Sequence, residues 1–228
     1  MSPPADAGAR AVPQMHRSVA VDRRDPFFAK RLFDAALASV GLLASSPLWL
    51  VFAAAIKYED GGAVFYGQER VGLGGRVFRV WKFRSMIPDA EGAVGPVQSG
   101  EGDPRITRVG AWLRATAMDE LPQLWNILVG DMSFVGPRAL RPGEIEVLGS
   151  GRMERLEDVP GFAARCTVRP GLTGVAQIFA PRDIPRRAKF RYDRLYLRRH
   201  GFWLDMRLIA LSFWITFRGR WESREDKF

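Results

Sequence analysis

Cysteine and histidine are almost missing from this 228-residue chain, which has only Cys166, His16 and His200. A lone thiol excludes an intramolecular disulfide framework and a cysteine zinc site. Two histidines leave little room for Ser-His-Asp hydrolysis or multi-histidine metal chemistry. Lysine is scarce too: among 34 basic residues only Lys30, Lys57, Lys82, Lys189 and Lys227 are lysine. Internal repeats and low-complexity tracts are also lacking. Any catalysis must therefore rest on carboxylates, arginines and a bound ion.

What is present is a basic, fairly apolar chain. Its length suits one good domain. The net charge of +9 favours anionic partners: phosphate-bearing substrates, an anionic membrane face or nucleic acid. A coding bias would account for the excess of arginine over lysine, but not for the sign of the charge.

From Ala35 to Ile56 run 22 residues without a charge, enough to cross a bilayer core of roughly 30 Å as one helix. The run starts late and no small-residue cleavage pattern follows it, which speaks against a signal peptide. Arg23, Arg24, Lys30 and Arg31 precede it, so the positive-inside rule puts its N-terminal end in the cytoplasm. A straight span would then export the remainder, with most of the arginines. Ser46-Pro47 near the middle offers a way out. Proline removes one backbone hydrogen bond, and serine hydroxyls can satisfy the freed carbonyl. A break there predicts a re-entrant hairpin with both ends on one face; a proline-kinked true span is the alternative.

These signals divide the chain into a flexible N-terminal tail (1–26), a re-entrant membrane helix (27–57) and a cytoplasmic catalytic domain with interfacial amphipathic helices (58–228). Within the last, residues 63–86 read as a β-hairpin turning at Gly72-Leu73-Gly74-Gly75, and 88–103 as a loop. Helices are predicted over Thr107 to Ala117, from Pro122 to Gly130, over Gly143 to Leu156 and over Ile184 to His200. Phe202 to Trp221 is apolar on one broad face, and its tryptophans suit either the headgroup level or an ordinary core. The fold class expected is α/β, mostly helical, in a monotopic membrane protein with a small β-hairpin or sheet.

Asp119 and Glu120 stand just before Leu121-Pro122. With Pro122 as the first helical residue, both carboxylates lie at a helix N-terminus, where free amides and the dipole favour an ionised Asp119. A plain helix cap would look the same. Arg114 upstream and Pro137-Arg138 downstream add what a cap does not need: a cation-plus-guanidinium clamp for a diphosphate, with a carboxylate placed to attack it. The residues alone say "phosphate substrate" and name no reaction.

A series of motifs goes further. Lys30-Arg31-Leu32-Phe33-Asp34, Ser46-Pro47, Lys82-Phe83-Arg84-Ser85-Met86, Asp119-Glu120-Leu121-Pro122-Gln123-Leu124, Ser133-Phe134-Val135-Gly136-Pro137-Arg138 and Arg169-Pro170-Gly171-Leu172-Thr173-Gly174 follow in order over about residues 28–220. Together they resemble the bacterial sugar transferases, the small monotopic phosphoglycosyl transferases that act on polyprenol phosphate. The resemblance implies that Asp119 attacks the sugar-bearing phosphate of a UDP-sugar, with Glu120 as its partner around Mg²⁺. UMP leaves, and undecaprenyl phosphate then takes the phosphosugar from Asp119. This would be the first membrane step of exopolysaccharide or glycoconjugate synthesis, at the cytoplasmic face of a bacterial inner membrane.

The same resemblance puts Arg114 and Arg138 on phosphates and Pro137-Arg138 near the uridine. Lys82 and Arg84 become substrate-binding candidates, beside a purely structural role in a strand. It leaves a homodimer open, expects no nucleic acid partner, and expects none of the extra N-terminal membrane helices of larger members. Two departures stand out: Ala139 replaces the second proline of Pro-Arg-Pro, which puts the rigidity of the nucleotide loop in question. Val175 replaces the tryptophan usual after Gly174, so sugar or lipid contacts there would differ. A non-enzymatic basic scaffold and a sugar-only transferase releasing UDP are the rival readings.

Overall fold

The computed structural model describes residues 28–90, 103–147, 151–181 and 184–218. The tail expected over 1–26, most of the loop expected over 88–103, and Trp221 lie outside the described residues. In chain order the elements are helix α1 (Phe28–Asp60), strands β1 (Phe65–Val71) and β2 (Val77–Phe83), helices α2 (Arg108–Ala115) and α3 (Gln123–Val129), and strands β3 (Ser133–Val135), β4 (Ile145–Val147) and β5 (Met153–Arg155). They are followed by α4 (Phe162–Arg165), β6 (Gly171–Thr173), α5 (Val175–Phe179), α6 (Arg186–Arg199) and α7 (Phe202–Phe217).

Helix α1 is the one described helix long and apolar enough to cross a membrane. The break expected at Ser46-Pro47 is a correction: the backbone stays helical through Pro47. The reason is local. Pro47 has no N–H for the carbonyl of Leu43, and Ser46 Oγ donates to that oxygen instead, at 2.8 Å. Ser45 Oγ in turn accepts from Trp49 Nε1 at 3.1 Å.

The buried residues of α1 are Asp34, Ala38, Ser45, Phe52 and Ile56, spaced by four or seven, so they form one stripe along its whole length. Leu43 and Leu50, on other faces, are each 76% exposed. Both ends of the helix are tied to the same body. At the start, Arg31 donates to the carbonyls of Ile127 and Leu128 at 2.6 and 2.5 Å, and Lys30 pairs with Asp205 at 2.5 Å. At the far end, Glu59 accepts from the amides of Arg108 and Val109 at 2.7 and 3.1 Å, satisfying the free donors that open α2. Thr107 completes that cap by accepting from the Gly110 amide at 2.9 Å.

The antiparallel hairpin β1–β2, with Phe65 opposite Phe83 and Val71 opposite Val77, matches the expectation for 63–86. The helix expected over Gly143 to Leu156 is instead the hairpin β4–β5. Ile145, Glu146 and Val147 alternate apolar and polar with β-branched residues, and Gly149 and Gly151 interrupt any helical run, so the period of two wins. Strands β3 and β6 run parallel, Ser133 opposite Gly171. Next to that pair, a Cβ on Gly171 would run into the backbone of Gly136, which accounts for glycine at both places.

The main core gathers Ala38, Leu124, Ile127, Phe134, Val135, Ile178, Tyr196, Leu208 and Ile215, drawn from α1, α3, β3, α5, α6 and α7. A second core joins Phe52 and Ile56 of α1 to Phe83 and Leu113. Helix α7 buries Asp205, Leu208 and Ile215 while Trp203, Phe213, Trp214 and Phe217 stay exposed, so its outward face is aromatic. The described residues thus form a mostly helical structure with three two-stranded sheets and one long apolar helix.

Candidate active site

Asp119 and Glu120 lie in a single 3₁₀ turn, Met118–Glu120, wedged between α2 and α3. The chain enters it through Ala117 at φ 55°, ψ 17°, a left-handed conformation unusual for a residue with a Cβ. Pro122 is the cap of α3, which begins only at Gln123, and no side chain caps either segment. The helix-cap reading of the dyad is thereby corrected. The carboxylates turn instead toward β2, where Lys82 Nζ sits 2.6 Å from Glu120 Oε1 and 3.5 Å from Asp119 Oδ2.

This arrangement divides the charge unevenly. Burial pushes the Asp119 carboxyl above its usual range, helped by the neighbouring Glu120 charge and only partly opposed by Lys82 and Arg114. Glu120 is also pushed up by burial, yet Lys82 and Arg138 and hydrogen bonds from Lys82 and Gln123 outweigh it, so its carboxyl is held low. Burial thus works against the ionised form of Asp119, while the cations around Glu120 favour its charge. Lys82 touches both carboxylates, and the charges of Arg114 and Arg138 bear on Asp119 and Glu120 respectively, so five of the expected site residues act at one turn.

Pro137 is buried and Arg138 exposed, and the segment carrying them is pinned from three sides. Arg165 Nη2 donates to the Arg138 carbonyl at 2.5 Å, Arg70 Nη1 to that of Ala139 at 3.1 Å, and the Val71 amide to that of Leu140 at 2.8 Å. These clamps hold the loop where Ala139 stands in place of a proline. Arg165 is itself fixed by Asp193, Nε to Oδ2 3.1 Å, and packs on the Phe190 ring. Arg84, by contrast, is not at the dyad. Its guanidinium binds Asp60 and the Ala63 carbonyl, fastening the end of α1 to β2, which is the structural strand role. Ser46 and Pro47 lie within α1.

Two adjacent carboxylates could take a divalent cation only with the Lys82 ammonium moved aside, since its Nζ now lies 2.6 Å from Glu120 and 3.5 Å from Asp119. Mg²⁺ is commonly bound by one or two carboxylates and completes its shell with water and substrate phosphate. Among the described residues no group of three or more acidic, histidine or cysteine side chains gathers to enclose an ion. Asp119 and Glu120 would hold it, with a diphosphate supplying the remaining ligands.

Sequence reasoning missed Arg70 and Arg165, and it named Asp34 only as the end of the Lys30–Asp34 motif, with no role. Asp34 is buried and accepts from the Phe134 amide at 3.2 Å, a hundred residues away. Its place in that motif marks the residue, but nothing local announces its partner. Arg70 and Arg165 act through contacts 69 and 27 residues distant, which no local spacing announces.

The bacterial sugar transferase family matches residues 26–219. The chain belongs to that family. Among similar members, the exopolysaccharide production protein ExoY of Rhizobium meliloti (strain 1021) is 38% identical over 195 residues, 79% of this chain and 82% of its own length. The exopolysaccharide production protein PSS of Rhizobium leguminosarum bv. phaseoli is 41% identical over 185 residues, 79% of this chain and 90% of its own length. The UDP-glucose:undecaprenyl-phosphate glucose-1-phosphate transferase of Klebsiella pneumoniae is 40% identical over 189 residues, 80% of this chain but 39% of its own length. This sugar transferase thus spans most of some relatives and about two-fifths of others. The match covers every described element, from α1 to α7.

Proposed function

We propose that this sugar transferase moves a phosphosugar from a UDP-sugar to undecaprenyl phosphate in two covalent steps. An Asp119 carboxylate oxygen bonds to the sugar-bearing phosphorus, the bond from that phosphorus to the bridging oxygen breaks, and UMP leaves with the electron pair. A polyprenyl phosphate oxygen then attacks the same phosphorus, and the Asp119 carboxylate leaves. The observation that carries this reading is the buried pair Asp119–Glu120 bridged by Lys82, with Arg114 and Arg138 acting on either carboxylate.

Each residue has a distinct task. Asp119 must be ionised to attack, and the positive charges of Lys82 and Arg114 oppose the burial that raises its carboxyl. Glu120 stays ionised and anchors Lys82, keeping an ammonium beside the position where phosphate charge would develop. Arg138 is exposed and free to reach a nucleotide phosphate, while its backbone is immobilised. Mg²⁺ on Asp119 and Glu120 would neutralise diphosphate charge and favour departure of UMP. The nucleotide released from a UDP-sugar tests the reaction: UMP is expected, and UDP would mean transfer of the sugar alone. Binding of nucleic acid without nucleotide release would favour the scaffold reading.

The membrane arrangement follows from α1. A straight helix of 33 residues is about 50 Å long, and here it lies against one body from end to end. Its two ends, at Lys30-Arg31 and Glu59-Asp60, bond the same domain that holds the site. This supports both ends facing the cytoplasm, with the apolar outer face of α1 and the aromatic face of α7 entering the inner leaflet of the bacterial inner membrane. In a Cys166→Ser background, a cysteine replacing the exposed Tyr58 should be labelled from the cytoplasm and protected from the periplasm. Periplasmic labelling would mean a true span.

A further inference from the structure

Lys82 is set in front of the dyad by its strand, while its side chain keeps room to move. Strand β2 pairs with β1, Lys82 standing opposite Tyr66. Asn126, buried in the middle of α3, accepts from the Trp81 amide at 3.0 Å and donates to the Arg79 carbonyl at 2.8 Å. Helix α3 opens three residues after Glu120, so one side chain fixes β2 against the element that follows the dyad. The Lys82 backbone is thereby held in place. Its side chain is 24% exposed, against 11% for Asp119 and 16% for Glu120, so the lysine is the member of the trio that can swing. Gln123 also donates to Glu120 and would still hold that carboxylate once the ammonium left.

The ammonium stands where a cation shared by the two carboxylates would stand. At 2.6 Å from Glu120 Oε1 and 3.5 Å from Asp119 Oδ2, it faces one oxygen of each. A magnesium ion needs its oxygen ligands at about 2.0–2.1 Å and gives up water reluctantly. It would have to displace the ammonium or sit in contact with it, and two cations that close in a part-buried site repel strongly. A bare divalent ion brings nothing to receive the displaced lysine. A diphosphate does, because its oxygens accept strongly from an ammonium and also serve as ligands to the ion. Lysine suits such an exchange, being a compact charge on a flexible stem.

We infer that Lys82 is a place-holder at the dyad: it keeps a free divalent cation off Asp119 and Glu120, and yields to one that arrives together with a diphosphate. The order of binding follows. Cation and nucleotide diphosphate enter as one complex, and Lys82 turns from Glu120 to a phosphate oxygen as they do. The diphosphate and its cation rest on the phosphosugar-transfer reading, whereas the exclusion of a free ion rests on the two ion pairs alone.

The experiment measures Mn²⁺, an EPR-visible stand-in for Mg²⁺, bound by the full chain in phosphatidylcholine nanodiscs, first without nucleotide and then with UDP. Without nucleotide, Lys82→Met should bind Mn²⁺ about tenfold more tightly than wild type, and Lys82→Arg, which keeps the charge, should match wild type. Lys82→Gln carries the test if Lys82→Met does not fold. Adding Glu120→Gln to Lys82→Met should cancel the gain, which places the ion on the dyad. With UDP present the gap between Lys82→Met and wild type should close, because the ammonium then helps to hold the diphosphate. Equal Mn²⁺ affinity in wild type and the two uncharged Lys82 variants without nucleotide overturns the inference. A gain that survives Glu120→Gln, or one undiminished by UDP, overturns it as well. UMP release by wild type with no gain in the variants would remove this inference and leave the transfer reading standing. The gain in a protein that releases no UMP would do the opposite.

Discussion

Asp119 is both the proposed nucleophile and a source of instability. Its folded carboxyl is raised above the unfolded value by burial, so the native state holds the proton more tightly than the unfolded chain. Stability from this group is therefore present at low pH and lost as pH rises through the raised value. Asp119→Asn should abolish transfer and yet raise Tm at pH 7. The gain in Tm should shrink on acidification toward the ordinary aspartate range near 3.9, and thermal melts across pH check it. The reverse holds for Glu120, whose stabilising charge is lost only as pH falls through its lowered value. Lys82→Met removes the ammonium from both carboxylates and should cost about 2 kcal/mol, less than for a deeply buried pair because Lys82 keeps 24% of its side chain exposed. It should also move the acid limb of the activity–pH profile to higher pH, because Asp119 loses the charge that opposes its burial.

Elements place these residues, and their devices were unevenly visible beforehand. Thr107 as a cap and Gly130 as the left-handed end of α3 are local signals, and both stand where the sequence puts them. The 3₁₀ turn under the dyad was not legible, because Pro122 mimics a first helical residue while Ala117 adopts a positive φ that no residue type announces. Ala117→Gly should be tolerated or slightly stabilising, whereas Ala117→Val should destabilise by about 1–2 kcal/mol, read by chemical denaturation. Hairpin β4–β5 was taken for a basic helix, since its strands are only three residues long and its partner comes from six positions further on. In α1 the serine that rescues the Leu43 carbonyl keeps the helix intact. Ser46→Ala should cost about 1 kcal/mol by leaving that oxygen without a donor in an apolar setting.

At the scale of the whole molecule, a part-buried ion pair and a buried tyrosine join α1 and α7 to β3, the strand that runs into Pro137-Arg138. Lys30 on α1 meets Asp205 on α7, and Tyr196 on α6 donates to Asp205 and to the Val135 carbonyl, both at 3.1 Å, just before Pro137-Arg138. At this scale the family was legible in a series of motifs. The assembly was not: the Lys82 bridge spans 37 residues, Arg84 turned out to serve α1, and the arginines that hold the Arg138 and Ala139 carbonyls come from two separate elements. Long-range pairing of charges leaves no periodic trace in a sequence.

The most direct measurement is peptide mapping by mass spectrometry after the full-length protein meets a UDP-sugar and Mg²⁺ without lipid acceptor. A phosphosugar added to Asp119, formed together with UMP and discharged when undecaprenyl phosphate is supplied, is the predicted result. An unmodified Asp119 during turnover, or the same adduct persisting in Asp119→Asn, would contradict it.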